Sequence, residues 1–88
     1  MSGMQFEDVT HLVRAIFLAV EGRLPDPDTQ NARGLLDAGE PGVALENLCT
    51  QLYEFDVAVS EPLLAQIRTA TEAMGLASDL WSDLIAEV

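Results

Sequence analysis

Apolar residues recur at the 3.6-residue period of an α-helix along most of this chain, and glycine and proline interrupt the period at short intervals. The first such segment covers residues 6 to about 20. One side of its helical wheel carries six apolar residues: Phe6, Val9, Val13, Ile16, Phe17 and Val20. The other side carries Glu7, His11 and Arg14, and among them Leu18. This pattern predicts an amphipathic helix, and we expect Leu18 to pack a second layer or to meet a partner.

Three glycine and proline residues predict a break after this first helix: Gly22, Pro25 and Pro27. Asp26 followed by Pro27 resembles a helix cap with proline at the first helical position. A second helix is therefore expected from about residue 27 to residue 38, and Gly39 is expected to end it.

A third helix is predicted from Pro41 to about residue 55. Six residues at helical spacing form its predicted buried stripe: Ala44, Leu45, Leu48, Cys49, Leu52 and Phe55. Cys49 is the only cysteine, which excludes an internal disulfide and a multi-cysteine metal site. Its apolar neighbours indicate a small buried hydrophobic residue rather than a reactive thiol.

Two more helices are predicted after a short connection. Ser60 has the position of an N-cap for the fourth helix, and Gly75 of its stop signal. The inner face of the fourth helix is expected to carry Leu63, Ile67, Ala70 and Met74. Ser78 is expected to cap a fifth helix. Its candidates for an inward position are Leu80 or Trp81, with Leu84 and Ile85.

These segments together predict an all-α fold, a compact bundle of about five short helices. A chain of 88 residues supports one hydrophobic core, so a single domain over residues 1–88 is expected, with residues 1–5 disordered. No segment shows the alternation of a strand, and no internal repeat is evident.

The charge of the chain limits its partners. Fifteen acidic residues against four basic ones give a formal net charge of −11. Such a protein is repelled by phosphate backbones and anionic lipid, so we expect no direct binding to nucleic acid or membranes. Encounter with a basic protein is instead accelerated, by roughly 10–1000-fold at low salt. Because no signal peptide and no run of about 18 apolar residues is present, a cytoplasmic location is expected.

The residues that usually perform catalysis are scarce. His11 is the only histidine, and it lacks a second histidine or cysteine at ligand spacing. Acidic pairs occur at three places, as chance predicts in so acidic a chain: Glu7/Asp8, Asp26/Asp28 and Glu54/Asp56. Glycine-rich phosphate loops and calcium loops are lacking. We therefore expect neither an enzyme nor a metal or cofactor site.

The outward side of the third helix is the candidate partner-binding site. We assign to it Glu46, Tyr53, Glu54 and Asp56. An aromatic ring among carboxylates has the composition of an interface anchor whose neighbours pair with arginine or lysine. The alternative is that Tyr53 flanks the core and exposes only its hydroxyl to water.

A sequence pattern between about Leu35 and Leu84 supplies a resemblance. It consists of Ala44-Leu45-Glu46-Asn47-Leu48-Cys49, then Leu52 and Glu54, then Met74-Gly75-Leu76 and Trp81. This pattern resembles the MafI family of bacterial immunity proteins, whereas residues before Leu35 match only in being helical and amphipathic. The resemblance implies a protein that holds a secreted polymorphic toxin domain in an inactive complex. Many such toxins are basic nucleases, and an acidic protein would be attracted to their substrate groove.

Two functions are therefore expected in order of preference. The first is an immunity protein that binds and neutralises a cognate, basic toxin domain. The alternative is an acidic helical adaptor or regulatory module without a toxin partner, forming a homodimer through the Leu18 side of the first helix.

Overall fold

The computed structural model describes residues 6–24 and 26–84, without the side chains of Phe6, Asp26 and Asp28. This part of the chain forms an all-α bundle, as predicted. Its helices are α1 (Phe6–Ala19), α2 (Asp26–Asp37), α3 (Pro41–Glu54), α4 (Glu61–Ala73) and α5 (Asp79–Ser82). The expectations for residues 1–5, for Pro25, for the side chain of Phe6 and for Ile85 lie outside the described residues.

The hydrophobic core lies where the apolar faces of the helices meet. α1 packs against α2, α3 and α4, α2 packs against α3, and α5 contacts both α3 and α4. The predicted inner side of α1 is buried at Val9, Val13, Ile16, Phe17 and Val20. On its opposite side Glu7, His11, Arg14 and Leu18 are exposed, as predicted. Because the apolar residues of α1 lie on one side, that side packs against α2, α3 and α4, and the polar side remains exposed.

The helix ends depend on local sequence signals. The hydroxyl of Ser60 accepts a hydrogen bond from the Leu63 N–H at 3.3 Å, which confirms the predicted cap of α4. Gly39 and Gly75 adopt positive φ angles of 84° and 67°, each two residues after the last residue of α2 or α4, so both predicted stop signals are confirmed.

The prediction for Ser78 was only half right. Ser78 precedes α5, but its backbone is already helical and its side chain makes no capping hydrogen bond. A capping residue needs extended backbone angles to aim its oxygen at the first turn, and Ser60 has them whereas Ser78 does not. α5 is accordingly a single turn.

The prediction that Phe55 lies in the buried stripe of α3 was wrong. Phe55 is 50% exposed, whereas Leu52, one turn earlier, is buried. α3 ends at Glu54, so Phe55 has left the helical wheel and serves as the C-cap. Asp56 then turns the chain with a positive φ of 53°. The 3.6-residue period predicts a side-chain direction only while the helix continues.

Two core residues lie in connections, where helical periodicity gives no signal. Leu24 precedes α2 and Val59 precedes α4, and both are buried. The guanidinium of Arg23 donates a hydrogen bond to the Ala58 carbonyl oxygen, which joins these two connections. This hydrogen bond holds the two connections together next to Leu24 and Val59, the adjoining residues that are buried in the core.

Among the described residues, none of the helices combines the length and the apolar character needed to cross a membrane.

Candidate functional site

The predicted binding residues all lie at the surface. Glu46, Tyr53, Glu54 and Asp56 are exposed, and the Tyr53 side chain is 60% exposed. Glu46 and Tyr53 are two turns apart on one side of α3, a rise of about 10 Å. Because none of the described helices covers Tyr53, its ring as well as its hydroxyl is exposed in the described structure.

α3 presents this side outward because its other side supplies much of the core. Its buried residues are Pro41, Ala44, Leu45, Leu48, Cys49, Gln51 and Leu52. On the outward side the short polar residues bond to their own helix: the Thr50 hydroxyl donates to the Glu46 carbonyl oxygen at 2.9 Å. The Asn47 amide donates to the Val43 carbonyl oxygen at 3.4 Å. Glu46 and Tyr53 are the longer exposed side chains on the same side.

A groove of about 200 Å³ separates α3 from α5 beside Tyr53. Its lining residues are Cys49, Thr50, Tyr53, Asp79, Leu80 and Asp83. Asp79 and Asp83 are exposed acidic residues that the sequence interpretation did not assign to the site. Their i, i+4 spacing around Leu80 was visible in the sequence, but nothing in the sequence placed them opposite Tyr53.

The sulfur atom of Cys49 gives the groove no charge of its own. Cys49 is buried, as predicted, and burial raises the pKa of its thiol to about 12. A thiol with this pKa is protonated at neutral pH and is a poor nucleophile. Cys49 and the half-buried Leu80 thus contribute an uncharged, apolar part to the lining of a groove that Asp79 and Asp83 also line.

The arginines of the chain are engaged elsewhere. Ion pairs join Arg14 to Asp37 at 3.3 Å, Arg33 to Glu21 at 3.5 Å and Arg68 to Glu72 at 3.2 Å. Arg23 donates to the Ala58 carbonyl oxygen. The acidic residues near Tyr53 therefore make no ion pair within the described part of the chain: Glu46, Glu54, Asp56, Asp79 and Asp83.

A second and larger groove, of about 500 Å³, lies on the outer side of α4 beside α5. It is lined by Glu61, Leu64, Ala65, Arg68, Thr69, Glu72 and Trp81. Trp81, one of the two residues predicted as candidates for an inward position, is half-buried and packs against the core. Arg68 lies over its ring and pairs with Glu72, so this groove already contains a cation. It offers less to a basic partner than the groove beside Tyr53.

The chemistry available at the Tyr53 groove is recognition of positive charge. Carboxylates attract arginine or lysine, and an exposed aromatic ring adds apolar area and a cation–π contact. In the described residues, no three histidine, cysteine or acidic side chains converge as a metal-binding group. Comparison of the chain with models of protein families, with curated proteins and with solved structures gives no match.

Proposed function

We propose that this protein is an immunity protein, which binds the toxic domain of a secreted bacterial toxin inside the producing cell and keeps it inactive. It acts in the cytoplasm by forming a complex and performs no catalysis. A basic toxin domain, such as a nuclease with a positively charged substrate groove, is the partner that its charge favours.

The observation that carries this proposal is the unneutralised acidic surface around Tyr53. Its carboxylates have no described ion-pair partner, because each arginine of the chain is engaged elsewhere. Exposed like charges repel one another, and a basic partner reduces this electrostatic repulsion by supplying the opposite charge. The Tyr53 ring provides the apolar anchor that a tight interface also needs.

The resemblance to the MafI family supports the same proposal. Its central part, the run from Ala44 to Cys49, lies on α3 and includes Glu46 of the acidic surface. Toxin inactivation then follows if the bound protein covers the toxin's substrate site or holds the toxin in an incompetent conformation.

Co-expression tests the proposal. The resemblance implies a toxin gene beside this one; the C-terminal domain of such a secreted toxin is expressed in a susceptible host, with and without this chain, and survival is scored. Rescue together with a co-purifying complex is the expected result. If the domain is toxic but the chain neither rescues the host nor binds, the proposal is wrong.

A second function is favoured by one observation on α1. The Leu18 side chain is 60% exposed on the side of α1 that faces away from the core. An acidic adaptor module that dimerises through this side would cover Leu18. Light scattering of wild type and of Leu18→Gln distinguishes the two: a dimer that the substitution converts to a monomer favours the adaptor, and a wild-type monomer counts against it.

A further inference from the structure

The groove between α3 and α5 has three features that a single ligand group would satisfy together. Asp79 and Asp83 line it with two exposed carboxylates, and Tyr53 lines it with a largely exposed ring. Its lining also includes the neutral thiol of Cys49, the half-buried Leu80 and Thr50. A complementary group is therefore cationic and planar at its tip and apolar along its stem.

Arginine has this combination of properties. Its guanidinium donates to two carboxylates at once, stacks on an aromatic ring and keeps its charge, while its methylene stem packs on apolar surface. Lysine carries a compact, strongly hydrated charge and neither stacks nor forms bidentate pairs. We infer that the groove receives an arginine side chain of the partner protein, with the guanidinium between Asp79 and Asp83 and against Tyr53. This inference rests on the proposed function in taking the partner to be a basic protein.

The charges of the free protein also favour binding of a cationic side chain in this groove. Asp79 is the first residue of α5 and Asp83 is its C-cap, so two exposed like charges flank a single helical turn and repel each other. No described arginine pairs with either of them. A bound guanidinium removes this repulsion and gains two charge-assisted hydrogen bonds, so binding and stabilisation of α5 are coupled.

An NMR titration of the full chain tests the inference directly. The probe is a capped glycine-serine peptide with two arginines, compared with the same peptide carrying two lysines. At about 150 mM salt, where weak long-range attraction is screened, the arginine peptide is expected to shift the amide signals of Tyr53, Asp79 and Asp83. The lysine peptide is expected to bind several-fold more weakly.

Matched variants separate a specific site from general attraction. Asp79→Asn with Asp83→Asn is expected to weaken arginine-peptide binding about tenfold, and Tyr53→Leu several-fold. The control, Glu7→Gln with Glu40→Gln, removes the same charge from exposed residues that do not line the groove, and is expected to change binding by less than about twofold. The Asp79→Asn/Asp83→Asn variant removes the repulsion between these two carboxylates, so it is expected to stay folded. Equal weakening by both pairs, equal binding of both peptides, or no shift at the groove would overturn the inference.

The co-expression assay distinguishes this inference from the proposed function. If wild type protects the host and the Asp79→Asn/Asp83→Asn variant protects equally well and binds the toxin with unchanged affinity, the groove is not the arginine site although the chain is an immunity protein. If wild type fails to protect while the arginine peptide binds at the groove, the immunity function is wrong and the groove remains an arginine site.

Discussion

The guanidinium carbon of Arg68 lies 5.2 Å from the centroid of the Trp81 ring, and this contact joins α4 to the single turn of α5. It is within the range of a cation–π interaction. Arg68 also pairs with Glu72 one turn later on α4, at 3.2 Å, which holds the guanidinium in place. Since α5 is too short to be stable alone, contacts of this kind keep Asp79 and Asp83 in position beside Tyr53.

The first prediction concerns Arg68. Arg68→Ala is expected to lower the free energy of unfolding by about 1 kcal/mol, because it removes the ring contact and the surface ion pair together. Glu72→Gln removes only the ion pair and is expected to cost about 0.3–0.5 kcal/mol. Urea denaturation measures both, and Trp81 emission should shift to the red only in Arg68→Ala. Equal costs for the two substitutions would show that the ring contact contributes nothing.

The second prediction compares two serines before helices. Ser60→Ala is expected to cost about 1 kcal/mol, because the Leu63 N–H loses its capping acceptor. Ser78→Ala is expected to change stability by less than about 0.5 kcal/mol, because its side chain caps nothing. Thermal or chemical unfolding of the two variants checks the difference, which a similar cost for both would contradict.

The third prediction concerns two glycines of opposite behaviour. Gly34 is inside α2, and a Cβ atom added there would meet nothing within 4 Å. Gly34→Ala should therefore stabilise the protein by about 0.5–1 kcal/mol. Gly39 has a φ of 84°, so Gly39→Ala should destabilise it by about 1 kcal/mol. Denaturant midpoints that move in the same direction for both variants would contradict the assigned helix end.

The fourth prediction follows from the pKa of the Cys49 thiol, which burial raises from 9.0 to about 12. Above pH 9.0 the unfolded chain loses this proton while the folded chain keeps it, so the folded state binds more protons and stability falls as pH rises. The contribution of the thiol is present in full below pH 9.0 and is lost as the pH rises towards about 12, by at most about 1.4 kcal/mol per pH unit.

Cys49→Ala provides the comparison for this effect. The difference in free energy of unfolding between wild type and the variant should be constant below about pH 8 and should narrow progressively from about pH 9 to 11. Urea denaturation of both proteins over this range measures it. A difference that is independent of pH would mean that the thiol titrates alike in the folded and unfolded states.

The fifth prediction concerns the rate of association with the proposed toxin. If carboxylates steer the encounter, the association rate constant should fall markedly between about 50 and about 500 mM salt, because the Debye length shortens from about 14 Å to about 4 Å. Stopped-flow mixing measures this dependence. A rate constant that does not respond to salt would remove steering from the mechanism while leaving complex formation intact.

Several elements of the structure were predictable because their causes are local. The inner faces of α1 and α4, the cap at Ser60 and the stops at Gly39 and Gly75 each depend on residues within a turn or two. The stripe that α3 buries placed Tyr53 on the other side of that helix, but the sequence left open whether its ring or only its hydroxyl is exposed. Phe55 was missed because the period was extended one residue past the helix end.

The sequence by itself determined the helices, their buried faces and the acidic character of the surface, because backbone hydrogen bonding and amphipathic spacing act over a few residues and charge is a matter of composition. Only the tertiary structure decided that Leu24 and Val59 enter the core and that Asp79 and Asp83 lie across a groove from Tyr53. A helical wheel gives the direction of a side chain around its own axis, but the position of one helix relative to another depends on packing between residues far apart in the chain. α5 has a single turn, so its position depends on those contacts.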